Sequence, residues 1–302
     1  MTARKIDAPG VYALPMDEYH GDCCSAPSIS GSGLFTIDRY CPARYFATSY
    51  LNPSRTEDDD TPVFSVGKAA HSIIIEGDEA FARDVAVMPE DMDLRTKAGK
   101  EWNAEQAEAG KTVIRWKQWL AIRAMVDAFR AHPMAARAFA NGSPEQSLIW
   151  QDAETGIWLK ARPDWTPTDS RFLPNYKTAI CAKPADFSRA AFAYGYHQSA
   201  AMVIDAARVV LGIDNPAHYW IVQEKDPPYL VTLYTMSDDA IEWGRIINRA
   251  ALATFARCVK RGEWPGYADT AVQLEMPAWA ERQLERRSEA GDFASPEIQP
   301  ME

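Results

Sequence analysis

Apolar residues recur at helical spacing in three stretches of the chain and alternate in two-residue steps between them. Within residues 101–140, Trp116, Trp119, Leu120, Ile122, Met125, Val126 and Phe129 fall mostly three or four apart, a period that gathers them on one helix face. His132-Pro133 interrupts this stretch. The pattern then changes to alternation. Gln146 to Gln151 (QSLIWQ) reads as a strand, Asp152 to Gly156 as a turn closed by glycine, and Ile157 to Trp165 as a second strand. Phe172 to Thr178 reads as a third. A helix from about Ser188 to Leu211 follows, then strands over Ala217 to Gln223 and Tyr229 to Thr235, joined through Pro227-Pro228. Ser237 caps a last long helix that reaches about Arg261.

The two ends of the chain read differently. Pro9, Pro15 and Pro27 break any helix in residues 1–27, which the sequence predicts to be irregular. Ser28 to Tyr50 predicts one helix or two. Glu57 to Asp60 predicts a charged loop, and Thr61-Pro62 a helix start, with threonine as cap and proline in the first turn. That helix runs from about Val63 to Glu76 and stops at Gly77. The segment 268–302 is poor in core residues and rich in charge, so it predicts a mobile tail. The order helix, three strands, helix, two strands, helix predicts an α/β fold: a mixed central sheet flanked by helices, preceded by an N-terminal helical region. One domain is expected over residues 28–267, with a helical part at 28–140 and a sheet core at 145–262.

Composition narrows the classes. The chain has 302 residues, 47% hydrophobic and 25% charged, enough for a sizeable core. No run of about 18 apolar residues could span a membrane. Residues 1–10 lack the apolar stretch of a secretory signal, so the expected location is cytoplasmic. The five cysteines (Cys23, Cys24, Cys41, Cys181 and Cys258) are odd in number and form no C-x-x-C pair. This argues against a disulfide framework, a structural zinc site and an iron–sulfur cluster. No nucleotide cofactor is expected either. The net charge of −10 argues against non-specific nucleic-acid binding by the surface as a whole. From Arg95 to Arg137, however, nine basic residues face four acidic ones. That local excess fits an ordinary solvated helix face or a surface that contacts phosphate.

The chemistry concentrates in Lys160-Ala-Arg162-Pro-Asp164-Trp and Pro174-Asn175-Tyr176-Lys177-Thr. Asp164 falls at the end of one predicted strand. Asn175 and Lys177 are two apart on the next and share one of its faces. The pattern offers two oxygen ligands and an ammonium group at one sheet end. Hard divalent cations prefer oxygen ligands, and a lysine beside one can stabilise developing negative charge on a phosphate. Hydrolysis of a phosphodiester by water then needs no serine or cysteine nucleophile.

Asp164, ten residues, position 175, one residue and Lys177 together resemble the D-x(n)-(D/E)-x-K signature of the PD-(D/E)XK nucleases, including the Pro163-Asp164 pair. Three further pieces resemble the RecE-like and RecB-like branch. Gly67-Lys-Ala-Ala-His71 matches a G-x-x-x-H helix whose histidine ligates metal. The glycine, one turn before His71, would leave space beside the imidazole; read alone, His71 is a core histidine on the face of Ile74 and Ile75. Tyr194-Gly-Tyr196-His-Gln198 supplies the glutamine of a Q-x-x-x-Y motif, with Met202 where the tyrosine belongs. Ser28-Ile-Ser30 and Cys41-Pro42-Ala-Arg44-Tyr-Phe46 match an S-x-S…C-P-x-x-[YF] motif. Read alone, these are a helix-start glutamine and a capped helix with a surface arginine. Trp264-Pro-Gly-Tyr267 also resembles the family, so the likeness runs from about Ser28 to Tyr267.

The resemblance implies a metal set of His71, Asp164, Asn175 and the backbone carbonyl of Tyr176. Lys177, Asp164, Asn175 and Gln198 would serve catalysis; Ser30, Arg44, Arg162 and Tyr196 would contact substrate. Glu145 and Glu76 are further carboxylate candidates, or else solvated residues at a strand edge and a helix end. The implied activity is processive, Mg2+-dependent digestion of linear double-stranded DNA from a 5′ end, with Mn2+ as a substitute. The product would be a 3′ single strand for a RecT-like annealing partner, and the enzyme a homo-oligomer, often a ring.

One position departs from the pattern. Asn175 stands where the family has Asp or Glu, and an amide offers a carbonyl but no negative charge. Three readings follow: a deliberate change that traps substrate, a natural variant of weak activity, or a relative that binds DNA without cutting it. The first leaves every other motif residue in place. In all three the expected activity is low, and Asn175→Asp is expected to raise it.

Overall fold

The computed structural model describes residues 5–55 and 66–293; the predicted loop at Glu57 to Asp60 and helix start at Thr61-Pro62 lie outside them. The N-terminal part runs β1 (Gly10–Tyr12), α1 (Met16–His20), β2 (Ser28–Ser30), α2 (Gly31–Arg39) and α3 (Pro42–Thr48). After the gap come α4 (Val66–His71), continued by a π-helical turn over Ser72–Glu76, then α5 (Asp78–Asp84), β3 (Val85–Val87), α6 (Lys97–Glu108), β4 (Thr112–Ile114), α7 (Trp116–Ala131) and α8 (Ala135–Ala138). The sheet core follows: β5 (Gly142–Pro144), β6 (Ser147–Gln151), β7 (Trp158–Ala161), β8 (Trp165–Pro167) and β9 (Phe172–Ala179). Helices α9 (Pro184–Ala193) and α10 (Tyr196–Leu211) lead to β10 (Ala217–Glu224), β11 (Val231–Tyr234) and α11 (Asp238–Arg261).

Two sheets carry the site. The first has the order β1-β6-β7-β2, antiparallel except for the parallel β2–β7 pair. The second has the order β11-β10-β9, with β9 and β10 parallel and β11 antiparallel. Alternation along β9 and β10 sends side chains to two apolar layers. Tyr176 and Ile221 pack with Ile75, Phe129 and Trp165. Trp220 and Val222 pack with Phe187, Ala191 and Ala200. Leu148, Trp150, Leu159 and Leu173 meet α2, α10 and α11 through Leu34, Met202, Val203, Leu252 and Phe255. Mixed strands under helices confirm the predicted α/β class.

The differences from the sequence reading have local causes. Ser28–Ser30 is a strand paired with β7, with Ser28 tied to the Tyr50 hydroxyl, and the helices begin only after it. Residues 1–27 are not wholly irregular: β1 adds to β6, and α1 starts directly after Pro15. The long helical stretch is cut at Gly110, with φ at +71°, and β4 follows the cut. The predicted strand Ile157 to Trp165 breaks at Pro163, which has no N–H to give a ladder; β7 and β8 end up in different sheets. The predicted helix Ser188 to Leu211 starts earlier, at Pro184, and is split by Gly195, whose φ is +69°. No helix among the described residues is long and apolar enough to cross a membrane.

Residues after Trp264 form a second compact unit. It contains α12 (Ala278–Glu289), a helix within the predicted tail that buries none of its residues.

Candidate active site

The break at Pro163 leaves Asp164 in the step from β7 to β8. Its carboxylate is buried, and its Oδ2 accepts the N–H of Tyr176 on β9 at 2.6 Å. Glu145 occupies the link between β5 and β6. Its φ of +51° lies in the left-handed region that a residue with a Cβ rarely adopts. This conformation costs about 1 kcal/mol or more. The Glu145 N–H donates to the Asp164 carbonyl at 3.2 Å, which ties the two carboxylate residues backbone to backbone. His71 closes α4. Its Nε2 lies 3.4 Å from Asp164 Oδ2 and 3.8 Å from Glu145 Oε1. One donor atom from each of these three residues lies within 4.8 Å of the others.

Gly67 sets the position of His71 by a different route from the one the motif suggests. A Cβ on Gly67 would stand 2.6 Å from the Thr178 hydroxyl on β9. The bare backbone therefore lets α4 press onto β9 and carry His71 to the strand; it does not open space beside the imidazole.

Electrostatics link the group. Burial pushes the Asp164 carboxyl up, but the Lys177 charge, His71 and the Tyr176 N–H outweigh it and hold the group below its ordinary value. Burial disfavours a charged His71, yet the hydrogen bond to Asp164 and the two carboxylate charges raise its pKa. Burial and the neighbouring Asp164 charge raise Glu145, against the pull of His71 and Arg162. Arg162 grips Glu145 Oε2 at 3.0 Å and is itself anchored on the Leu14 carbonyl at 2.8 Å.

These residues line one open cavity of about 580 Å³. Its wall brings together His71, Glu145, Asp164, Tyr176, Lys177, Arg162, Ser30 and Glu76. Four other sequence candidates stand off that wall. Asn175 is buried on the Lys177 face of β9, and its Oδ1 has no hydrogen-bond partner among the described residues. Gln198 is buried between helices: its side-chain amide donates to Asn248 Oδ1 at 3.4 Å, and its main-chain carbonyl accepts from Asn248 Nδ2 at 2.8 Å. Tyr196 stacks on Trp220 with ring centroids 5.9 Å apart. Arg44 lies over the Tyr40 ring at 4.1 Å.

The sequence reading missed Lys160 and the α1 residues Met16, Tyr19 and His20, all on the cavity wall. Lys160 is 2% exposed and donates to the Tyr19 carbonyl at 2.6 Å. Its signal was available: a lysine between Leu159 and Ala161 in a strand buried on both faces needs partners.

A hard divalent cation fits this donor set. Two carboxylates balance its charge, an imidazole completes the cluster, and the Tyr176 carbonyl belongs to the β9 residue whose N–H holds Asp164. The unpartnered Asn175 Oδ1, next in sequence to the residue that holds Asp164, is a further oxygen of the right kind.

Comparison with known proteins agrees with this geometry. A search of curated proteins gave no match. The chain is similar in fold to the crystal structure of a "Putative exonuclease" from Eubacterium rectale, with a TM-score of 0.56 at 12% identity, over 90% of this chain and 98% of that one. The profile of a family described as "PDDEXK-like domain of unknown function (DUF3799)" matches residues 29–275. Most of the chain, including His71, Glu145, Asp164, Asn175 and Lys177, lies within that match, and the chain belongs to this PDDEXK-like family of the PD-(D/E)XK nuclease superfamily.

Proposed function

We propose that the chain is a metal-dependent deoxyribonuclease that digests linear double-stranded DNA from its ends. The observation that carries this reading is the meeting of His71, Glu145 and Asp164 beside Lys177 in one open cavity. His71, Asp164, the Asn175 side-chain oxygen and the Tyr176 carbonyl would hold Mg2+, or Mn2+ in its place. When bound, the cation supplies charge to polarise a phosphoryl oxygen and to acidify a water. Lys177 sets a positive charge beside Asp164, where a phosphate's developing negative charge would fall. Arg162, fixed by Leu14, keeps Glu145 turned with Oε1 toward His71. The Ser30 hydroxyl sits on the cavity wall at the start of α2 and can donate to a strand backbone.

Digestion from the 5′ end, a single-stranded 3′ product for a RecT-like annealing partner in recombination, a phage source, a ring oligomer and a cytoplasmic location complete the reading. These finer points rest on the motif resemblance. Catalytic work by Gln198 and DNA contacts by Arg44 and Tyr196 belong to the same group. A binding protein without catalysis is the competing reading, and Asn175 is the observation in its favour.

Linear duplex and covalently closed circular DNA, each with Mg2+ and with chelator, separate the two. The nuclease reading expects shortening of the linear duplex alone, only with Mg2+, and its loss in Asp164→Asn. Intact linear DNA with Mg2+ and with Mn2+, in both this chain and Asn175→Asp, would overturn it.

A further inference from the structure

We infer that Glu145 supplies the anionic metal ligand that Asn175 cannot, so the charge the motif lacks at position 175 enters from the β5–β6 link. This rests on the nuclease reading of the cavity. Three features of Glu145 carry it. Its Oε1 faces His71 at 3.8 Å and falls within the donor cluster, whereas Asn175 offers an oxygen without a charge. Its backbone is held at a φ of +51°, an unfavourable geometry for glutamate, and its N–H is tied to the Asp164 carbonyl. Its other oxygen is fixed by Arg162, whose guanidinium also reaches the Leu14 carbonyl and the Ser147 hydroxyl at 3.4 Å.

An incidental surface acid needs none of these supports. Here an arginine that is itself anchored leaves one carboxylate oxygen directed at the imidazole. Charge balance agrees: Asp164 and Glu145 bring two negative charges to a divalent cation, and a neutral His71 adds none. With Asn175 alone in the motif position, only one negative charge would remain. The chain as it stands is then a working metal site, and Asn175 tunes it without disabling it.

Direct Mn2+ binding tests this without reference to DNA cleavage. Affinity is read by titration calorimetry, or by the loss of the free-ion electron paramagnetic resonance signal. Four proteins are compared: the chain as it is, Glu145→Gln, Asn175→Asp, and the double variant. Glutamine keeps an oxygen for Arg162, and melting in chelator reports whether each protein folds. The inference expects Glu145→Gln to weaken Mn2+ binding about tenfold or more. It also expects Asn175→Asp in the same molecule to recover most of that loss. Unchanged affinity in a folded Glu145→Gln overturns the inference and leaves the nuclease reading standing. So does a loss that Asn175→Asp fails to recover, since Glu145 and position 175 would then not exchange roles. If none of the four binds Mn2+, the metal reading of the cavity falls, and this inference with it.

Discussion

At the scale of single residues, the site couples protonation to folding through His71. Its folded pKa lies above the ordinary 6.5, because Asp164 and Glu145 stabilise the charged ring against burial. Below 6.5 the imidazole is charged in both the folded and the unfolded chain, so its pairing contributes in full. As pH rises through the higher folded value, that contribution is lost. Metal-free protein should therefore exceed His71→Gln in melting temperature by more at pH 6 than at pH 8.5, as read by scanning fluorimetry in chelator. Residue 175 belongs to the same scale. Asn175→Asp should raise the Mg2+-dependent rate on linear duplex about tenfold or more, the order expected when a weakened metal site is restored. Equal rates would remove residue 175 from the catalytic account. Asp164 and Lys177 were legible in the sequence because strand alternation and fixed spacing place them; His71 was legible only through the motif resemblance, since read alone it is a core histidine. The full part played by Glu145 was not, since its aim depends on a left-handed backbone that no spacing rule announces.

At the scale of elements, the closeness of α4 to β9 decides whether His71 reaches Asp164. Any side chain at position 67 meets Thr178. Gly67→Val should cost about 1–3 kcal/mol of stability by overpacking and weaken Mn2+ binding as α4 is displaced. Thr178→Ala should restore part of both, and calorimetry of the single and double variants reads the coupling. A fully additive pair would show that the glycine matters for another reason. Strands β6, β7, β9, β10 and β11 and helix α11 were legible from alternation and from the Ser237 cap. The breaks were harder to read: Pro163 and Gly195 each carry a recognisable signal, but apolar periodicity runs straight through both. Gln198 was legible only through the motif, and its side chain lies buried beside Asn248, to which its amide donates at 3.4 Å.

At the scale of the molecule, a net charge of −10 must coexist with the polyanionic substrate of the proposed reaction. Lys160, Arg162 and Lys177 line the cavity, but Lys160 and Arg162 already hold carbonyls or Glu145. Few cations are then left to displace counterions. The salt dependence of duplex-end binding in chelator should be shallow, with a log–log slope of about −3 or less in magnitude. Fluorescence anisotropy over a salt series measures it; a slope steeper than about −6 would point to a second, extended basic face, such as that of residues 95–137. The α/β class was legible at this scale because helix and strand periods alternate along the chain. The joining of the N-terminal segment to the cavity was not, because β1 pairs with β6 across more than a hundred residues of sequence.

That joining makes residues 10–21 part of the cavity's support. The Lys160 ammonium rests on main-chain oxygens of Tyr19 and Gly21, within a strand with almost no access to water. Cleavage ahead of β2 with loss of that segment would remove those oxygens and leave a buried cation unpartnered in the cavity floor. Damage there would therefore be felt at the candidate site, although none of the motif residues lies within it.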